Sequence, residues 1–216
     1  MNIVIFGPQG SGKGTQADLI SKRLKIPHVS TGDMFREHTK KGTALGKSIT
    51  DLMNQGRLVP DEITNEVVKE RLTSEDCKNG FVLDGYPRNT KQARFLQDTK
   101  KIDLVIVLDV SEGETIKRIS NRRVCPDCGA NFNLASIRPK IDNICDICTA
   151  ELVQRKDDTP QAVRQRLNIY NEQTTPIFEF YEKRGVLKKI NGQPPIKAVS
   201  DDIAKLLRKW QGLMSS

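Results

Sequence analysis

Short apolar segments alternate along the chain with segments whose apolar residues recur every three or four positions. Apolar runs of this kind are typical of strands buried on both faces of a parallel sheet. They lie at residues 2–6, 28–30, 81–83, 104–110 and, more weakly, 186–190. The helical patterns cover residues 14–24, 43–54, 61–72, 90–97, 112–122, 161–183 and 196–210. This alternation predicts an α/β fold with a doubly wound, five-stranded parallel sheet that binds ligands at the carboxyl ends of its strands.

Two segments interrupt the alternation. Residues 31–59 carry helical patterns with no strand between them, and residues 123–159 are turn-rich with little periodicity. We therefore expect a small helical insertion that covers one edge of the sheet, and a compact second insertion later in the chain.

Composition limits the class of protein. The chain has 216 residues, of which 37% are hydrophobic and 29% charged, which predicts one main core rather than a disordered chain. No run approaches the roughly 20 apolar residues of a membrane span, and Met1 leads directly into the first strand. We expect a cytoplasmic protein. The net charge of +8 fits nucleic acid, an acidic membrane surface or a small polyanionic substrate.

A phosphate-binding loop follows the first predicted strand. Residues 7–13 read Gly-Pro-Gln-Gly-Ser-Gly-Lys and precede a predicted helix, which is the context of the G-x-x-x-x-G-K motif. The backbone N–H groups of such a loop face phosphate oxygens, and Lys13 would reach the outer phosphates of a nucleoside triphosphate. The alternative is a glycine-rich turn without a ligand.

The metal that accompanies a triphosphate has two candidate residues. The strict motif places Ser or Thr after the lysine to bind Mg²⁺, whereas this chain has Gly14 there and Thr15 one position later. Asp84 ends the third predicted strand and could hold Mg²⁺ directly or through water. Its alternative role is to cap the Asp84-Gly85 turn.

Four of the five cysteines form two C-x-x-C pairs. Cys125, Cys128, Cys145 and Cys148 are spaced as C-x2-C-x16-C-x2-C, which predicts a zinc ribbon whose closed tetrahedral site is structural. Reduced thiols or disulfides are the alternative. Cys77 follows a predicted helix in polar sequence, and we expect no special role for it.

Four phrases together resemble the adenylate kinase family over essentially the whole chain. They are Gly-Lys-Gly-Thr at 12–15, Ser-Thr-Gly-Asp-Met-Phe-Arg at 30–36, Gln-Gly-Arg-Leu-Val-Pro at 55–60 and Asp-Gly-Tyr-Pro-Arg at 84–88. The resemblance implies reversible, Mg²⁺-dependent phosphoryl transfer from ATP to AMP, with magnesium held mainly through water and a closing lid that excludes bulk water. It also implies three parts: a core at 1–29, 60–121 and 160–216, an AMP-binding lobe at 30–59, and a zinc-binding lid at 122–159.

The resemblance also implies roles for individual residues. The ATP site would comprise Gly10, Ser11, Gly12, Lys13, Gly14, Thr15, Arg118, Arg122, Asn131, Phe132 and Pro194. The AMP site would comprise Thr31, Arg36, Arg57, Leu58, Val59, Gly85, Arg88, Gln92, Arg155 and Arg166. The catalytic set would be Lys13, Asp84, Arg88, Arg122, Arg155 and Arg166.

Physical chemistry favours arginine in such roles, because its fork matches phosphate oxygens in a bidentate way. A solvated surface arginine is the alternative for Arg36 or Arg88 taken alone. Asp157 and Asp158 would brace the arginines, or lie solvated in a loop. Phe132 could cover the adenine or fill a small apolar core of the lid. Lys156 has no assigned role.

Two other functions compete with a kinase. A P-loop ATPase or GTPase would need a residue that orients the attacking water, and no obvious candidate follows Asp84. A zinc-ribbon nucleic-acid binder would use the basic residues Lys205, Arg208 and Lys209 near Trp210, but leaves the phosphate loop unexplained. We expect ATP, AMP and ADP as ligands, no nucleic-acid or membrane partner, and a monomer. GTP as the donor stays open.

Overall fold

A computed structural model describes residues 1–40 and 44–214 of the chain. Its central sheet has five parallel strands in the order β2-β3-β1-β4-β7. The predicted doubly wound, five-stranded parallel sheet is therefore confirmed. Its strands are β1 (Asn2–Phe6), β2 (His28–Ser30), β3 (Phe81–Asp84), β4 (Leu104–Asp109) and β7 (Leu187–Asn191).

Both faces of this sheet are covered, which explains why its central strands β1, β3 and β4 are almost continuously apolar. Along β1, Val4 belongs to the core cluster on one face and Ile3 to the cluster on the other face. Ile3 pairs in register with Val82 of β3 and Leu104 of β4, and all three side chains are fully buried. Successive side chains of a strand point to opposite faces of the sheet, and both faces are covered. A polar residue at either kind of position would therefore be buried.

The described part of the chain contains nine α-helices. They are α1 (Lys13–Leu24), α2 (Thr31–Lys40), α3 (Ala44–Asn54), α4 (Asp61–Thr73), α5 (Thr90–Thr99), α6 (Glu112–Ser120), α7 (Pro160–Ile169), α8 (Ile177–Glu182) and α9 (Ile196–Met214). Apolar residues of α1 and α9 pack on one face of the central sheet, and those of α4, α5 and α8 pack on the other. None of the described helices combines the length and apolar character that crossing a membrane requires.

The single helix predicted at residues 161–183 is wrong. The structure has α7 and α8 there, separated by a π-helical turn at Tyr170–Thr174. The N–H of Thr175 donates to the carbonyl of Tyr170 at 2.9 Å, five residues back. Pro176 has no N–H to donate to the preceding turn, so a regular helical ladder cannot run through this position.

The helix predicted at residues 112–122 also ends early. Helix α6 ends at Ser120, so Arg122 begins strand β5 (Arg122–Val124), which pairs antiparallel with β6 (Asn131–Asn133). This small sheet lies in the second insertion, above an apolar cluster that includes Phe132 and Leu152. The first insertion contains α2 and α3 and no strand in its described part, and Thr43, where its second helix was predicted to begin, lies outside the described residues. The exact domain boundaries stay predictions.

Cys77 corrects an expectation of the sequence. Its side chain is buried in the main core instead of lying on polar ground. A short 3-10 turn at Glu75–Cys77 directs the thiol inward, while Asp76 beside it forms an ion pair with Arg71 at 2.7 Å. Arg71 also donates to the Cys77 Sγ at 3.1 Å, so the thiol combines apolar surroundings with one charged contact.

Candidate active site

A cleft of about 1360 Å³ opens at the carboxyl ends of the central strands, between the phosphate loop, α2 and the second insertion. All the residues that the sequence assigned to ATP, AMP or catalysis line this cleft, as do Cys125 and Cys128. The structure thus brings together side chains from segments more than 100 residues apart. What each residue binds stays a prediction.

The phosphate loop has the backbone shape that an anion site requires. Gly10 and Gly12 adopt the left-handed conformation, with φ of 83° and 88°, which side chains with a Cβ rarely tolerate. Gly12 is the N-cap of α1 and carries no side chain that could occupy the first N–H groups of the helix. Those N–H groups and the helix dipole therefore remain available to phosphate oxygens.

Lys13 lies partly buried at the base of this loop. Its Nζ lies 3.3 Å from the carbonyl oxygen of Pro8. Burial, together with the positive charges of Arg88, Arg122 and Arg166, lowers the pKa of the Lys13 ammonium to about 8 against an opposing contribution from Asp84. Such a group gains charge when an anion arrives beside it.

Asp84 is a buried carboxylate that stays charged. Burial acts to raise its pKa, but His28, Lys13 and Arg88 together hold that pKa below the usual range. Its Oδ1 atom is buried and has no hydrogen-bond partner among the described residues. An orphaned oxygen of a charged carboxylate beside a phosphate loop is suited to a divalent cation or to a water bound to one.

His28 is a residue of the site that sequence analysis treated only as part of a strand. Its Nδ1 lies 2.7 Å from Asp18 Oδ1, and its Nε2 lies 3.7 Å from Asp84 Oδ2. Burial lowers the pKa of His28, but the two carboxylates outweigh burial and raise it to about 9. The signal was available, because β2 and β3 are parallel neighbours and His28 lies two residues before Ser30, the register partner of Asp84.

Arg88 is fixed by its own turn. Its Nε donates to the carbonyl of Gly85 at 2.7 Å, and its backbone N–H donates to Gln92 Oε1 at 2.7 Å. Gly85 has a φ of 82°, and a Cβ there would lie 2.7 Å from Thr31 Oγ1. Burial and the neighbouring Arg166 lower the pKa of Arg88 to about 10, so the guanidinium retains its charge at neutral pH.

The predicted bracing of arginines by Asp157 and Asp158 is confirmed. Arg166 donates to Asp157 Oδ2 at 2.5 Å, and Arg122 donates through two nitrogens to Asp158. Both aspartates are buried, so the alternative of solvated loop carboxylates is wrong. Gln9 of the phosphate loop also donates to Asp158 Oδ1, at 2.9 Å; no local pattern in the sequence indicated this contact.

Other predicted arginines have partners of different kinds. Arg36 forms an ion pair with Asp33 at 2.5 Å, and Arg155 donates to Asn131 Oδ1 at 2.9 Å. Arg118 donates to the backbone carbonyls of Ser11, Gly192 and Gln193 and to the carboxylate of Glu114. It therefore ties the phosphate loop to the segment that contains Pro194, while its contact with ATP stays a prediction.

The four clustered cysteines form a candidate metal centre. All four Sγ atoms lie within 4.8 Å of one another, and none forms a disulfide. The separations are 3.2 Å for Cys125 with Cys148 and 3.6 Å for Cys128 with Cys145. A tetrahedron with bonds of 2.3 Å has edges of about 3.8 Å, so small shifts would let the cluster hold one metal ion. Phe132 packs against the cluster and also lines the cleft, so both of its interpretations stand.

Comparison with known proteins agrees with this geometry. The family model described as adenylate kinase matches residues 5–186. The chain is 45% identical to the adenylate kinase of Thermosipho africanus over 97% of this chain and all of that protein. It is 47% identical to the adenylate kinase of Clostridium tetani over 96% of this chain and 98% of that one. It is 48% identical to the adenylate kinase of Oceanobacillus iheyensis over 97% of this chain and all of that one.

Proposed function

Since the chain belongs to the adenylate kinase family and is a phosphotransferase that converts ATP and AMP into two ADP, we propose how its cleft divides between the two nucleotides. The phosphate loop from Gly10 to Thr15 holds the phosphates of ATP, with Arg118, Asn131, Phe132 and Pro194 around its nucleoside. The segment from Thr31 to Gln92, together with Arg155 and Arg166, holds AMP. This division rests on the resemblance and on the shared cleft.

The observation that carries the proposal is the convergence of cations. Lys13, Arg88, Arg122 and Arg166 come from four separate segments, yet each arginine is close enough to lower the pKa of Lys13. Phosphoryl transfer asks of the protein mainly in-line positioning and stabilisation of the charge on the moving group. No general base is needed, because the attacking AMP phosphate is already an anion.

Asp84 fits the magnesium that accompanies ATP. Asp84 lines the cleft, and its unpartnered Oδ1 and lowered pKa leave a charged oxygen without a protein partner there. We propose that it holds Mg²⁺ directly or through a bound water, and that Thr15 contributes less. When bound, the ion neutralises charge on the outer phosphates.

The cysteine cluster fits a structural zinc ion. Four thiolates fill a tetrahedral coordination shell, which leaves no position for substrate. Backbone N–H groups of Cys128 and Ile147 approach the sulfurs of Cys125 and Cys145 at 3.5 Å, as expected of sulfurs that carry negative charge. We propose that this zinc holds the lid together and takes no part in the reaction.

We further propose that lid closure over the cleft excludes water, that the hinges lie near residues 122 and 159, and that the protein is a cytoplasmic monomer acting only on small nucleotides. Water competes with AMP as the acceptor, so the cleft must close before transfer. The free thiols of the described chain suit a reducing compartment.

One assay tests the reaction and its competitors. ATP, Mg²⁺ and AMP are mixed with the protein, and ADP is measured with and without AMP. We expect ADP formation that depends on AMP, with negligible hydrolysis in its absence. ATP hydrolysis of equal rate without AMP would contradict both the kinase and the closing lid, and salt-sensitive DNA or RNA binding without turnover would favour the nucleic-acid binder. Replacing ATP with GTP measures donor preference.

A further inference from the structure

Thr174 lies in the nucleotide cleft but has no part in the assignments made so far. It is the last residue of the π-helical turn Tyr170–Thr174 and is 5% exposed. Its Oγ1 donates to the backbone carbonyl of Arg88 at 2.9 Å. This hydrogen bond joins two segments that are 86 residues apart in the chain.

The bond completes the fixation of Arg88. The backbone N–H of Arg88 is held by Gln92 and its Nε by Gly85, and both of these contacts arise within the same turn of chain. Thr174 supplies the anchor from outside that turn. Without the Thr174 hydroxyl, the partly buried carbonyl of Arg88 would lose one hydrogen-bond donor. Losing a donor costs more free energy at such a carbonyl than at one exposed to water.

The π turn explains how Thr174 reaches this position. Arg166 of α7 lies in the same cleft, and Thr174 follows it by eight residues. In an uninterrupted α-helix, eight residues would place Thr174 roughly 80° around the axis from Arg166. The wider π turn rotates the chain less per residue, which returns Thr174 to the side of Arg166. Turns of this type occur frequently at functional sites.

We propose that Thr174 is a positioning residue for Arg88 and, through it, for the phosphate of AMP. The inference rests on the proposed role of Arg88 in AMP binding. Thr174 does not touch substrate in this scheme; it fixes the main chain from which the guanidinium projects. The π turn is thus the local change in helix geometry that brings the Thr174 hydroxyl to the backbone carbonyl of Arg88.

The test replaces the hydroxyl while preserving the shape of the side chain. Thr174→Val removes the donor, and Thr174→Ser retains it. The matched control is Thr175→Val, because the Thr175 hydroxyl donates to Tyr170 within the turn at 3.2 Å and does not contact Arg88. Steady-state rates are measured with AMP and ATP varied separately, well below the melting temperature of each variant.

We expect Thr174→Val to raise the KM for AMP on the order of fivefold, the effect of one buried hydrogen bond, while the KM for ATP changes less than twofold. Thr174→Ser and Thr175→Val should resemble the parent protein. A merely structural role would lower the melting temperature and leave the two KM values in their original ratio. If the valine variant does not fold, Thr174→Ala serves in its place with the same expectation.

Failure of this inference can be told apart from failure of the site assignment. If Arg88→Ala weakens AMP binding but Thr174→Val does not, Thr174 has no positioning role. If Arg88→Ala leaves AMP binding unchanged, the assignment of Arg88 itself is wrong. An equal loss in Thr175→Val would also overturn the inference, because the effect would then belong to the turn as a whole.

Discussion

Protonation of Lys13 should govern how tightly the free protein binds ATP above neutral pH. The pKa of Lys13 is about 8, against 10.5 for an ordinary lysine. Phosphate oxygens beside the ammonium favour its charged form, so the bound complex has a higher pKa than the free protein. Binding is therefore strongest below about pH 8 and weakens as the pH rises through that value.

The size of the effect follows from the fraction of charged lysine. With a pKa of about 8, roughly nine tenths of Lys13 is protonated at pH 7 and roughly one tenth at pH 9. Because only the charged form pairs with phosphate, the Kd for ATP should rise about tenfold between these pH values. Binding should take up about 0.1 proton at pH 7 and about 0.9 proton at pH 9.

Isothermal titration calorimetry in two buffers of different ionisation enthalpy measures both quantities. Magnesium is left out, so that Asp84 and its cation do not enter the equilibrium. Lys13→Arg is the control, because a guanidinium keeps its charge over this range; its affinity should be lower but nearly flat with pH. His28→Gln removes the other group that titrates near pH 9. A flat Kd in the parent protein, or no proton uptake at pH 9, would refute the reasoning.

Two further predictions concern the lid and the base of the cleft. If the cysteine cluster holds a structural metal, as proposed, removing the metal with a chelator should lower the melting temperature by several degrees while leaving activity in the cold largely intact; immediate loss of turnover in a still-folded protein would instead indicate a catalytic metal. His28 has a pKa raised to about 9 from 6.5, so its contribution to stability is complete below about pH 6.5 and is lost as the pH rises through 9. Denaturant unfolding of His28→Gln should show a deficit of at most about 3 kcal/mol at pH 6 that shrinks by pH 10, and a deficit independent of pH would contradict the ion pairs with Asp18 and Asp84.

The sheet and the phosphate loop were predictable because their signals are local. A strand covered on both faces must be apolar along its buried length, as β1 is from Ile3 to Phe6 and β4 from Leu104 to Leu108, and a loop that requires left-handed backbone must contain glycine, as it does at Gly10 and Gly12. The π turn at Tyr170–Thr174 was not predictable in this way. The residues on either side of it carry helical patterns, and although Pro176 interrupts the hydrogen-bond ladder, it does not specify a π turn rather than a simple kink.

The partners of the site residues were harder to predict than the residues themselves. Motifs indicated that Arg118 and Arg122 lie at one cleft. The two arginines are close together in the chain, yet their hydrogen-bond partners differ. Arg118 donates to three backbone carbonyls, whereas Arg122 pairs with Asp158. The fold decides which acceptors each fork can reach, and no sequence spacing encodes that. For His28, strand register could have indicated Asp84, whereas the contact with Asp18 depends on how α1 packs beside β2.

The ion pairs that line the cleft bear directly on how it can bind and release nucleotides. Arg122, Arg166 and Arg36 each pair with a carboxylate, and two of those carboxylates are buried. A buried cation without a partner would cost several kcal/mol, so these aspartates let the cationic cleft exist before substrate arrives. A phosphate that takes a guanidinium from its carboxylate gains only the difference in free energy between the two ion pairs. This exchange lowers the affinity for both substrates and products. Because Gln9 also donates to Asp158, we expect the exchange at Arg122 to affect the phosphate loop, the proposed site of the ATP phosphates.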